Sequence, residues 1–130
     1  MIVSRNKYGA VKITVDGIRF DSRKEARRYT ELKLLLHAGQ ITDLRLQVRF
    51  ELLPAQYAHT DAAYTRGERK GQPKRGRCIE QAVVYVADFV YTENGRTVVE
   101  DTKGLRTKDY IIKRKLFRYR YGSEYDFREI

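Results

Sequence analysis

The run Ala82-Val83-Val84-Tyr85-Val86-Ala87-Asp88-Phe89-Val90-Tyr91 constrains the fold more than any other part of this chain. Val, Tyr and Phe dominate it and both of its alternating faces are apolar. That pattern predicts a central β-strand covered on each side. Asp88 is its one charged residue. A carboxylate inside such a strand is costly unless it is hydrogen-bonded, paired or bound to a metal. Asn94-Gly95 then gives a strong two-residue hairpin signal, and Arg96 to Lys103 reads as the returning strand. With Asn94 and Gly95 as the loop, Glu93 faces Arg96. The same register sets Asp88 directly opposite Asp101, with Cβ atoms about 4.5–5.5 Å apart.

The flanking sequence supplies the other elements. Val11, Ile13 and Val15 alternate before Asp16-Gly17, a turn signal, so residues 1–20 read as a short strand or hairpin. Ser22 suits an N-cap and Glu25 stands three residues on, matching a capping box. Ala26, Tyr29, Leu32, Leu35 and Leu36 then recur at helical spacing up to His37, and Ala38-Gly39 stops the helix. Between Ile41 and Leu53 the alternation is looser, and its later part predicts a strand ending at Pro54. Thr107 caps a second helix reaching about Tyr121, closed by Gly122, and Tyr125 to Ile130 reads as a last edge strand. The order is helix, three strands, helix, strand: a mixed α/β sandwich around one central sheet flanked by helices.

At 130 residues the chain reads as one domain, 1–130. Hydrophobic residues at 42% are enough for a packed core. No apolar run approaches the roughly 18–20 residues that span a bilayer, and Met1 to Lys7 lacks the apolar stretch of a secretory signal. Cys78 is the single cysteine, read as a free thiol in a reducing compartment, and His37 and His59 are too few for a His-rich metal centre. A soluble, cytoplasmic domain is the expectation. The net charge of +10 argues for a polyanionic partner, nucleic acid first and an anionic membrane surface second.

Two facing carboxylates repel each other unless a cation lies between them. Hard oxygen ligands of this kind suit Mg²⁺, with Mn²⁺ as substitute, completed by waters and substrate phosphate. Lys103 lies two residues beyond Asp101, on the same strand face. Glu100 points to the other face and is excluded from the metal's ligands. A structural carboxylate at Asp88 and a surface ion pair at Asp101-Thr102-Lys103 are the plain alternatives.

Asp88 followed by Asp101-Thr102-Lys103 matches the D…(D/E)-x-K signature of the PD-(D/E)XK nuclease superfamily, with Ala87 where that family often has Pro. The element order resembles that superfamily's core. Phe20-Asp21-Ser22-Arg23-Lys24-Glu25-Ala26-Arg27-Arg28-Tyr29, then Gly39-x-Ile41 and Gln47-x-x-Phe50-x-Leu52-Leu53-Pro54, resemble small phage-type Holliday-junction resolvase-like endonucleases. The resemblance, over about residues 11–130, implies metal-dependent cleavage of branched DNA, with catalytic Glu25, Asp88, Asp101 and Lys103. It implies metal ligation by Asp88, Asp101, the Thr102 backbone carbonyl and Glu25, directly or through water. Capping remains the other role open to Glu25. Gln47 falls near the site and is assigned no role.

Basic residues gather around this centre. Arg23, Lys24, Arg27 and Arg28 surround Glu25, and Arg106, Lys108, Lys113 and Lys115 belong to the second helix and its approach. Residues 58–78, with Arg69, Lys70, Lys74 and Arg75 among glycines, read as a mobile basic loop insertion. These twelve are the candidate DNA contacts; several are expected to meet phosphates, giving affinity and salt dependence without base readout, and the others to form solvated faces or, in the loop, a solvated connection. Cutting two strands symmetrically makes a homodimer the simplest assembly. Two other functions stay open: a non-catalytic basic DNA-binding module, and a nuclease of this fold acting on mismatched or other DNA in a recombination machine.

Overall fold

The computed structural model describes residues 2–5, 11–102 and 105–130. Three short strands open it: β1 (Ile2–Arg5), β2 (Val11–Val15) and β3 (Ile18–Phe20), an antiparallel sheet in the order β1-β2-β3. Asp16 and Gly17 turn between β2 and β3 with φ of 53° and 75°, the left-handed pair that a tight hairpin requires. The expected hairpin is therefore a separate three-stranded sheet.

Helix α1 (Arg23–His37) begins where its cap predicts. Ser22 is extended and its Oγ accepts from the Glu25 N–H at 3.1 Å. Glu25, Ala26, Tyr29 and Leu32 form its buried stripe. Tyr29 packs on Phe20 at 5.0 Å between ring centres and donates its hydroxyl to Asp16 at 3.0 Å, fastening the N-terminal hairpin to the helix.

The main sheet is mixed, in the order β4 (Thr42–Leu53), β7 (Val83–Glu93), β8 (Arg96–Asp101), β9 (Asp126–Glu129). β4 runs from Thr42, so the strand covers the whole of the loosely alternating stretch. β7 is an inner strand, as its two apolar faces demand. Asn94 and Gly95 turn with φ of 50° and 78°, and Glu93 faces Arg96. β9 adds to β8 in parallel and forms one edge. Helix α2 (Lys108–Tyr121) is capped by Thr107, whose Oγ1 accepts from the Tyr110 N–H.

Each face of the sheet carries one helix. On the α1 side Ala26, Tyr29 and Leu32 pack with Phe89, Tyr91 and Val98. On the α2 side Tyr110 and Phe117 pack with Phe50, Tyr85, Ala87, Val90 and Val99. Phe117, fully buried, meets Phe50, Tyr85, Tyr121, Tyr125 and Phe127 with ring centres 5.0–6.2 Å apart. Burying a side chain of this size stabilises the fold by about 1.5–3 kcal/mol.

The stretch expected to be a mobile loop is an organised arm. β5 (Gln56–Tyr57) pairs with β6 (Cys78–Glu80), and Ala63 bridges Pro73 farther out. Backbone bonds from Ala58 N to Arg77 O (2.8 Å), Tyr64 N to Gln72 O (3.0 Å) and Lys74 N to Ala62 O (2.9 Å) extend the ladder. Composition hides this order because main-chain groups make it.

Candidate active site

Strict alternation fails at one level of the sheet. In β4, Leu44 and Leu46 pack on the α1 side, whereas Val48, Phe50 and Leu52 pack on the α2 side. In β7, Tyr85 and Ala87 face α2, while Phe89 and Tyr91 face α1. Both strands thus change face between Leu46↔Phe89 and Val48↔Ala87 without losing register. Gln47 and Asp88 occupy the crossover. Gln47 has φ 53°, a left-handed backbone that a non-glycine residue adopts at a cost. This reversal turns two polar side chains out of the layers that would otherwise bury them.

Gln47 Nε2 donates to Glu25 Oε1 at 3.1 Å and approaches Asp88 Oδ1 at 3.5 Å. One amide nitrogen thereby gathers a carboxylate from the start of α1 and one from the middle of β7. Asp88 Oδ2 accepts from the Thr102 N–H and the Thr102 Oγ1, both at 2.8 Å, which ties the Asp88 carboxylate to the end of β8. Glu25 and Thr102 are buried and Asp88 is half-buried.

The β7–β8 ladder closes at Phe89↔Glu100, so Asp88 and Asp101 flank its end in the expected register rather than as a paired step. Asp101 is fully buried on the α2 side, and its Oδ2 accepts from the Tyr85 hydroxyl at 2.5 Å. Burial, then the neighbouring Asp101 charge, pushes the Tyr85 hydroxyl well above the ordinary phenol range, so it remains a donor. Tyr110 is raised for the same two reasons, joined by its bond to Glu129. Repulsion between two acids is thus relieved in part by hydroxyl and amide donors.

Lys103 lies outside the described residues, and its part in the site is neither placed nor displaced. Glu100 extends to the α1 side, as alternation requires. There Arg28 grips it with Nε to Oε1 at 2.8 Å and Nη2 to Oε2 at 2.7 Å, and the Tyr91 hydroxyl adds a further bond. Burial and then Glu100 raise Tyr91 to about 12.

That clasp bears on one expectation. Arg28, expected at phosphates, has its fork committed to Glu100, with Nη1 on Glu31 at 2.9 Å. Arg106 is partly committed too, lying 3.1 Å from Glu129. Arg23, Lys24 and Arg27 are exposed, Arg23 and Arg27 bordering a groove of about 470 Å³ beside β2. Lys108 and Lys115 are exposed on α2, and Lys113 lines a recess with Tyr85 and Tyr110. Two residues were missed. Glu129 gathers Arg106, Arg114 and Tyr110 beside Asp101, and only the parallel pairing of β9 places it there. Gln47 stood in the quoted motif, but nothing local marked it as the amide between two acids.

Among the described residues no cluster of three or more His, Cys, Asp or Glu is arranged to hold a metal. Those residues by themselves form no closed cage of protein ligands. Mg²⁺ asks for less: one or two carboxylates, with waters and substrate phosphates completing an octahedron. Asp88, whose Oδ1 has among the described residues the 3.5 Å contact to Gln47 alone, fits that demand, with Asp101, the Thr102 carbonyl and Glu25 as oxygen donors of the right hardness.

No helix among the described residues is long and apolar enough to cross a membrane. No curated protein and no solved structure matches the chain. A family model does match, described as protein of unknown function (DUF1064), and it takes in residues 5–128. Spanning nearly the whole molecule, this match shows that the chain belongs to the DUF1064 family.

Proposed function

We propose that this chain is a metal-dependent DNA endonuclease that hydrolyses phosphodiester bonds, acting on branched DNA. One observation carries the reading: a pleat reversal in two adjacent strands brings Glu25, Gln47, Asp88 and Thr102 together at the end of β8, beside buried Asp101. Asp88 and Asp101, with the Thr102 carbonyl, would hold Mg²⁺ or Mn²⁺, and Glu25 would assist directly or through water. When bound, such an ion lowers the pKa of water and offsets charge developing on phosphate. Thr102 fixes the Asp88 carboxylate plane through two donors, and Gln47 steers Glu25 toward it. Tyr85 stays protonated and orients Asp101. Lys103, by the resemblance, sits beside the attacking water and stabilises the transition state. Exposed Arg23, Lys24, Arg27, Lys108 and Lys115 hold the backbone of the substrate.

A second reading has a specific observation in its favour. Asp88 and Asp101 each have neutral donors of their own, which suits structural carboxylates in a non-catalytic basic DNA-binding module. Incubation with nicked, flapped, mismatched and four-way DNA in Mg²⁺ or Mn²⁺ separates the two. The nuclease reading expects cutting, strongest on the four-way substrate and paired across its symmetry if the active form is a homodimer. Preference for mismatches would move the same centre to another task. Binding with no cutting of any substrate favours the module.

A further inference from the structure

We propose that the arm of residues 56–80 is a clamp on the backbone of duplex DNA flanking the cut, an inference that rests on DNA being the substrate. No residue between 58 and 77 is fully buried, and none belongs to either core cluster. Ordering a segment costs backbone entropy at every residue, and here little apolar burial offsets it. Like charges raise the cost further. Arg66, Arg69, Lys70, Lys74, Arg75 and Arg77 are all exposed on the arm, against the acids Asp61, Glu68 and Glu80, and Asp61 lies 3.0 Å from His59. A polyanion relieves both costs.

The cations are arranged rather than merely abundant. Gly67 and Gly71, with φ of 76° and 86°, turn the tip. Arg75 lies over the Tyr57 ring at 4.2 Å, and Arg69 and Lys74 lie over Tyr64 at 5.8 Å each. Such pairs hold long side chains in place, so less rotamer freedom is lost on binding. Arg69, Gln72 and Arg75 share a recess of about 350 Å³ with Tyr64 and Pro73, presenting planar donors suited to phosphate oxygens. Because both rings already carry cations, they are poor platforms for stacked bases, which favours a duplex backbone over a single strand.

Position fixes the reach. The arm leaves the sheet at Val83, five residues from Asp88 along β7. That is about 17 Å at 3.4 Å per residue, or about five base pairs of duplex.

The test compares the native chain with Arg69→Gln/Lys74→Gln/Arg75→Gln on a fluorescent 30-base-pair duplex in EDTA, over a salt series. Three lost phosphate contacts should weaken binding on the order of 10²-fold at 0.1 M salt and flatten the slope of log K against log salt by about 2.7. Thermal melting should be unchanged. Gly76→Ala provides a variant that keeps every charge: a Cβ there would stand 2.0 Å from the Ala58 carbonyl oxygen and force the arm's strands apart. It should also weaken binding, with its melt unchanged. Equal affinity and slope for the triple variant, while the native chain binds and cuts, would overturn the clamp and leave the nuclease reading intact. An equal or larger loss on single-stranded DNA would also overturn it. Arm-dependent binding without any cutting leaves the clamp standing and removes the nuclease, and a native chain that binds no DNA removes both.

Discussion

On the α1 side of β8, Glu100 is clasped by the Arg28 fork and the Tyr91 hydroxyl and is sealed from water. At the same end of that hairpin ladder, one residue before the Phe89 that pairs with Glu100, Asp88 is held by the Thr102 N–H, the Thr102 hydroxyl and the Gln47 amide. The first carboxylate is neutralised by a permanent cation and has no capacity for another. The second is oriented by neutral donors, which fix its plane and bring no opposing charge. Neighbouring acids of one hairpin are thus held in different ways: one locks helix to sheet, and the other is the one proposed to receive a metal cation.

The lock should break with the larger effect. Arg28→Ala strands a fully buried Glu100, and loss of one partner of such a pair costs about 3–5 kcal/mol. Urea denaturation should show it as a lower midpoint at unchanged slope. Arg28→Met combined with Glu100→Leu should recover most of the loss, since apolar replacement of both partners removes the stranded charge. A single variant as stable as the native chain would mean that Glu100 needs no lock.

Gln47 sharpens the other side of the comparison, because its backbone and its amide are separable. Gln47→Gly keeps the left-handed φ without strain and removes the amide. It should melt near the native temperature, yet cut on the order of 10–100-fold more slowly, as expected when a group orienting a metal ligand is lost. Gln47→Val forces a β-branched residue into that backbone and should also lose about 1–3 kcal/mol of stability. Native rates from the glycine variant would reduce Gln47 to a backbone device.

Much of this hairpin was legible because Asn94-Gly95 leaves little choice of register. A two-residue turn sets Glu93 opposite Arg96, and every pair down to Phe89 and Glu100 follows. Both helix starts were legible for a similar reason, Ser22 and Thr107 each satisfying a local N–H. What stayed hidden depends on distance or on main-chain geometry. Arg28 and Glu100 are far apart in sequence, and a basic residue beside Glu25 looked like any other cation of that helix. The pleat reversal was hidden because glutamine does not signal a left-handed backbone as glycine or asparagine does. Alternation carried through Gln47 without a break therefore points half of β4 the wrong way. The order of the arm lies in backbone bonds that its Gly, Pro and Arg content does not announce.

Asp88→Asn examines the centre most directly, measured as Mg²⁺-dependent cutting and as binding of the same four-way DNA. The substitution keeps the size of the side chain and an oxygen for Thr102, and removes the charge that would hold the ion. Cutting should fall below detection while binding stays equal or tightens. Cutting by Asp88→Asn at the native rate would contradict the account.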